Sequence, residues 1–150
     1  MKLAEALQER ADLNRRIEQL RDRLCINAIV QENEKPAEEP KTLLKELDVS
    51  IEKLQELMER INRTNCLTES EGSSLTKLIA RRDSLSLRIS VYKDMVREAS
   101  QTGRRARQSE IKILSTVDVR KMQTKIDNMS KELRIVDNTI QSLNWSTELL

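Results

Sequence analysis

The side chains in this sequence best equipped for chemistry are basic. Arg104, Arg105 and Arg107 cluster beside Gly103 in a polar stretch, with Lys112 just beyond. Guanidinium forks at this density suit a phosphate or an acidic partner surface, so Arg104, Arg105, Arg107 and Lys112 form the candidate anion- or partner-binding loop. Against that reading, acids surround the cluster, and aromatic rings for stacking bases are absent nearby, which favours a solvated loop. The whole chain carries 27 basic and 25 acidic residues, a formal charge of +2, and so has no strong field to steer polyanions. Nucleic acid is not an expected partner.

Catalytic parts are harder to find. The chain contains no histidine, which removes the commonest general base and the commonest metal ligand together. There is no glycine-rich phosphate loop, no nucleophile elbow, and no set of carboxylates at metal-ligand spacing. The sequence therefore predicts no catalytic residue, no cofactor, no metal and no small-molecule substrate, and a protein that is not an enzyme. Acid–base pairs four apart are abundant and read as solvated helix-face ion pairs. Cys25 and Cys66 are too few for a disulfide framework and fit no zinc spacing, which points to reduced thiols in a cytoplasm. Asn62, Arg63, Thr64 and Asn65 form a polar run that closes a helix. Trp145 is expected to pack the end of the last one.

The elements that hold these residues are legible from breakers and periodicity. Only Gly72, Gly103, Pro36 and Pro40 punctuate the chain, and leucine, isoleucine, valine and methionine supply nearly all its apolar volume. Leu3, Ala6, Arg10, Leu13, Ile17, Leu20 and Leu24 recur at alternating spacings of three and four, one stripe of a helix over 2–31. The prolines and acids of 32–40 break it. A second stripe, Leu44, Leu47, Ile51, Leu54, Met58 and Ile61, with Leu43 and Leu57 beside it, predicts a helix over 41–65 opened by Pro40. Leu75, Leu78, Arg82, Leu85, Ile89, Tyr92 and Val96 predict a third over 74–99, capped by Ser73 or Ser74. Alternation of Ile111 and Ile113 with Glu110 and Lys112 suggests a short extended segment near 110–114. Ser115 and Asp118 then resemble a capping box for a last helix over 116–144, whose stripe runs from Val119 to Leu143.

The expected fold is thus all-α: one domain, 1–150, built as a long-helix antiparallel coiled-coil or four-helix bundle. Helices of this length leave seam ends overhanging, and Ile26, Ile29 and Val30 need cover as well, so the sequence predicts a homo-oligomer. No apolar run approaches the roughly 20 residues that span a bilayer, and the opening residues lack the apolar centre of a secretory signal, which gives a cytoplasmic, non-membrane expectation. The functional expectation is a non-enzymatic, self-assembling structural or interaction protein. The alternative is a nucleic-acid or anionic-ligand module using the basic loop.

The opening MKLAEALQERADLNRRIEQLRDRL, INRTN at 61–65, ARRD at 80–83, SEIK at 109–112 and NWSTEL at 144–149 resemble, over essentially the whole chain, a family of small bacterial helical proteins labelled septicolysin. That label suggests a pore-forming, membrane-active protein. The residues show no large β-rich domain and no tryptophan-rich membrane-reading loop, so the resemblance implies a soluble bacterial protein without an assigned activity. It also implies a structural polar network of Asn62, Arg63, Asn65, Arg82 and Asp83.

Overall fold

The computed structural model describes residues 1–102 and 111–150. Its elements are α1 (Leu3–Ile26), α2 (Pro40–Leu67), β1 (Glu69–Ser70), β2 (Ser73–Ser74), α3 (Leu75–Ala99) and α4 (Val119–Ser146). The fold is all-α, with, among the described residues, one two-stranded sheet of two residues per strand. Between β1 and β2, Glu71 and Gly72 both hold positive φ, 49° and 75°, as the mirror-image hairpin turn requires. Residues 111–115 are neither helix nor strand, and Glu110 lies outside the described residues.

Two compact units divide the chain: Met1–Ser70 with Leu143–Leu150, and Glu71–Ser142. In the first, α1 and α2 pack antiparallel. α1 stops at Ile26, short of residue 31, because Asn27 caps it: its backbone N–H donates to the Arg23 carbonyl, and its side chain binds both that carbonyl and the linker. Pro40 opens α2, where its missing N–H costs nothing. In the second unit, Arg81 of α3 bonds Glu132 of α4. Ser74 caps α3, its hydroxyl accepting the Lys77 N–H at 3.2 Å. Asp118, rather than Ser115, caps α4, accepting the Lys121 N–H at 3.0 Å, while Ser115 bonds to Val117. The helix starts at Val119 because the carboxylate at position 118 reaches that otherwise unpaired first-turn donor and the hydroxyl at 115 does not.

The predicted stripes of α1, α3 and α4 face inward: Leu3, Ala6 and Leu20; Leu75, Leu85 and Ile89; Ile126, Val136 and Ile140 are all buried. In α2 the buried stripe is a different one. It runs Leu43, Leu47, Ser50, Leu54, Leu57, Ile61 and Thr64, again spaced four and three, with Leu47 and Leu54 half-buried. Leu44, Ile51 and Met58, expected in the seam, are exposed. The physical reason is α1. It packs on the face that carries Leu43, Ser50, Leu57 and Ile61, and the face that carries Leu44, Ile51 and Met58 stays exposed.

Candidate functional site

Two hydroxyls are buried on α2's inner face. Ser50 Oγ donates to the Glu46 carbonyl at 2.7 Å and Thr64 Oγ1 to the Arg60 carbonyl at 2.8 Å, so each polar group enters the seam already bonded to its own helix. Thr64 does more: its oxygen accepts the Leu150 N–H at 3.1 Å, while Arg60 Nε donates to the Leu150 carbonyl at 2.9 Å. The 147–150 segment is held from the other side by α1, through Leu3 N–H to the Thr147 carbonyl and Leu149 N–H to the Met1 carbonyl, both at 2.9 Å. Lys2 Nζ lies 2.7 Å from Glu148 and, with the Met1 amine, holds that carboxyl below its usual range. A knot of strand-like hydrogen bonds thus fastens the end of the chain across the α1–α2 pair.

At the opposite end of that pair, Asn27 Oδ1 accepts the Glu38 N–H at 3.0 Å, and Arg23 bonds the Glu38 carboxylate through Nε at 2.9 Å and through a second guanidinium nitrogen. This contact depresses the Glu38 pKa and raises that of Arg23. Arg16 and Glu46 pair midway, at 2.8 Å. These groups clamp helices. They lie in exposed or partly exposed ion pairs, and among the described residues no group of three or more His, Cys, Asp or Glu is placed to hold a metal.

What the first unit presents outward is α2's second stripe. Leu44, Ile51 and Met58 are 47%, 44% and 43% exposed, one every seven residues, with half-buried Leu47 and Leu54 between them. At 1.5 Å per residue the stripe is about 20 Å long. Beside it the exposed flank carries mixed charge: Lys41, Lys45, Asp48, Glu52, Glu59 and Arg63. An apolar band bordered by charged residues has the chemistry that cover by another amphipathic helix would require.

The basic-loop residues Arg104, Arg105 and Arg107 lie outside the described residues; Lys112 is exposed. Of the expected polar network, Asn62 and Arg63 are exposed and Asn65 half-buried, whereas Arg82 bonds its own neighbour Asp83 at 2.9 Å. Thr64, inside the same run, is the fully buried member. Trp145 does not pack the helix end: it is exposed, and its neighbour Asn144 is buried in its place. The α4 stripe passes through position 144, roughly 100° around the helix from 145. The residues missed from the sequence are Asn27, Glu38, Ser50 and Thr64. The four-and-three spacing with Leu43, Leu57 and Ile61 signals Ser50 and Thr64; no spacing signals Asn27 or Glu38. Among the described residues, no helix is long and apolar enough to cross a membrane.

Comparison with known proteins agrees with the fold and corrects the resemblance. A crystal structure of a functionally unknown conserved protein from Corynebacterium diphtheriae superposes with a TM-score of 0.93 at 42% identity, covering 100% of this chain and 99% of that one. None of the curated proteins matches. The septicolysin resemblance is overturned, because neither the matching family model nor this structure carries that description. The motifs quoted for it instead fall almost wholly within a model covering residues 10–149, and by that match the chain belongs to a family of unknown function, DUF6847.

Proposed function

We propose that this protein is a non-catalytic helical interaction protein that self-associates through the outer stripe of α2. The observation that carries the reading is the exposure of Leu44, Ile51 and Met58 in a regular seven-residue repeat on a helix whose other face is already satisfied by α1. Covering a half-exposed leucine, isoleucine or methionine returns on the order of 1 kcal/mol, and a second copy of the same stripe supplies the cover with matching spacing. The absence of histidine and the use of the ionisable groups in helix clamps support a binding role over a catalytic one. Two exposed cysteines, Cys25 and Cys66, fit a reducing cytoplasm.

Sedimentation equilibrium or light scattering at micromolar concentration tests this. The expected result is a mass of about twice the 17.4 kDa chain, returning to the single-chain value for Ile51→Lys with helicity unchanged. A wild-type protein that stays at 17.4 kDa with full helicity across the concentration range overturns the reading.

A further inference from the structure

We infer that the surface meeting the second copy is wider than α2's stripe: it is one whole side of the α1–α2 layer, with Arg10 and Ile17 of α1 in the contact. The inference rests on the self-association proposed above and holds for either docking direction. An antiparallel pair of helices is a layer with two sides. On one side a groove runs between the helices, lined by Glu9, Leu13 and Arg16 of α1 and by Glu46, Val49 and Lys53 of α2. Helical rotation fixes what lies on the other. On α1, Glu9 and Arg16 stand about 40–60° to one side of Leu13, and Arg10 and Ile17 stand by the same angle to the other. On α2, Glu46 and Lys53 stand about 40–60° to one side of Ser50, and Leu47 and Leu54 to the other, with Ile51 about 100° round. In an antiparallel pair the same sense of rotation leads to the same side of the layer on both helices. Arg10 and Ile17 therefore share with Leu47, Ile51 and Leu54 the side opposite the groove.

Register brings these residues together. Arg16 bonds Glu46 and Arg23 bonds Glu38, so positions whose numbers sum to about 62 stand level. Ile17 is then level with Leu44 and Leu47, and Arg10 with Ile51 and Leu54. Area decides between the stripe and the side. A single stripe about 20 Å long and one helix wide, about 10 Å, offers on the order of 200 Å² to a partner. A specific interface takes at least about 500 Å² from each copy. Both helices together, over the roughly 25 Å from Leu7 to Leu24 and about 20 Å across, supply on the order of 500 Å². A second copy brings an identical side, so the pair reaches the roughly 1,000 Å² total at which specific interfaces begin. Arg10 is compatible with such cover: its methylenes lie along apolar surface while the guanidinium reaches the rim, and arginine is enriched in interfaces.

Maleimide labelling in a Cys25→Ser/Cys66→Ser background tests this, with Asn14→Cys as the probe. Asn14 is exposed and stands on α1 as Ile51 stands on α2, about 100° round from the seam on the side opposite the groove. Val49→Cys, at an exposed position in the groove, is the control, and Ile51→Cys marks α2's own stripe. Expected as the dimer forms with rising concentration is several-fold slower labelling of Asn14→Cys and Ile51→Cys, and an unchanged rate for Val49→Cys. Slowing confined to Ile51→Cys overturns the inference and leaves α2 alone as the contact. Slowing of Val49→Cys with Asn14→Cys unchanged overturns it in favour of the groove side. Light scattering on the same chains separates the two claims: a dimer with an unprotected Asn14→Cys sinks only the wider contact, whereas a monomer at every concentration sinks the self-association beneath it. Slow labelling of Asn14→Cys in a monomer means that the rest of its own chain covers that side, which overturns both.

Discussion

Asn27 Oδ1 accepts the backbone N–H of Glu38 at 3.0 Å, so the residue that ends α1 also fixes the last turn of the linker before α2. The same amide donates to the Arg23 carbonyl at 2.8 Å, and the residue is buried. One side chain therefore sets both where the first helix stops and where the second begins.

The substitution Asn27→Ala removes both of these side-chain bonds and leaves the Glu38 N–H without its acceptor. The expected cost is about 1–2 kcal/mol, seen as a lower urea midpoint with an unchanged slope. A midpoint equal to wild type would show that solvent satisfies that donor as well as Asn27 does.

Glu38 also gives a pH dependence whose sign is fixed. Its pKa is lowered by the hydrogen bond from Arg23, so the folded form prefers the carboxylate more than the unfolded chain does. The stabilisation is complete above the ordinary value of 4.5 and is lost as pH falls through the depressed folded value. Thermal melts should show a smaller acid sensitivity in Glu38→Gln than in wild type below that point, and equal sensitivity would refute the coupling.

The two hydroxyls of α2's inner face should behave oppositely. Ser50 bonds only a carbonyl that the helix already satisfies, so Ser50→Ala is expected to be neutral or stabilising by about 0.5 kcal/mol through helix propensity. Thr64→Val keeps the volume but strips the Leu150 N–H of its acceptor, at about 1 kcal/mol. Amide exchange at Leu150 should accelerate in Thr64→Val and not in Thr64→Ser.

Gly72 holds φ at +75° with open space where a Cβ would stand. Gly72→Ala should therefore cost only the backbone penalty, about 1 kcal/mol, and Gly72→Asn less. A loss of several kcal/mol in a denaturant titration would mean that this turn bears more than local strain.

Much of the architecture could be read directly. The near-absence of glycine and proline, and stripes at three-and-four spacing, placed all four helices, and the inward residues of α1, α3 and α4 followed from apolar periodicity. The caps are less legible: Ser73 and Ser74 compete for one, Asn27 lies inside the helix read over 2–31, and Asp118 reads as the partner of a cap rather than the cap itself. Each depends on a hydrogen bond whose geometry no spacing rule supplies. The basic cluster is the most conspicuous chemical feature of the sequence and lies almost wholly outside the described residues; among the described residues, organised polar contacts lie at Asn27, Glu38 and Thr64, ordinary residue types distinguished only by what they touch.

Periodicity by itself determined that α2 is an amphipathic helix with a wide apolar face. It did not determine which half of that face turns inward, because Leu44, Ile51 and Met58 outweigh Ser50 and Thr64 on any scale of hydrophobicity. Tertiary packing decided it: α1 covers the face with Leu43, Ser50 and Leu57, and the 147–150 segment supplies the bond to Thr64. The larger side chains were left outside, where only another surface can cover them.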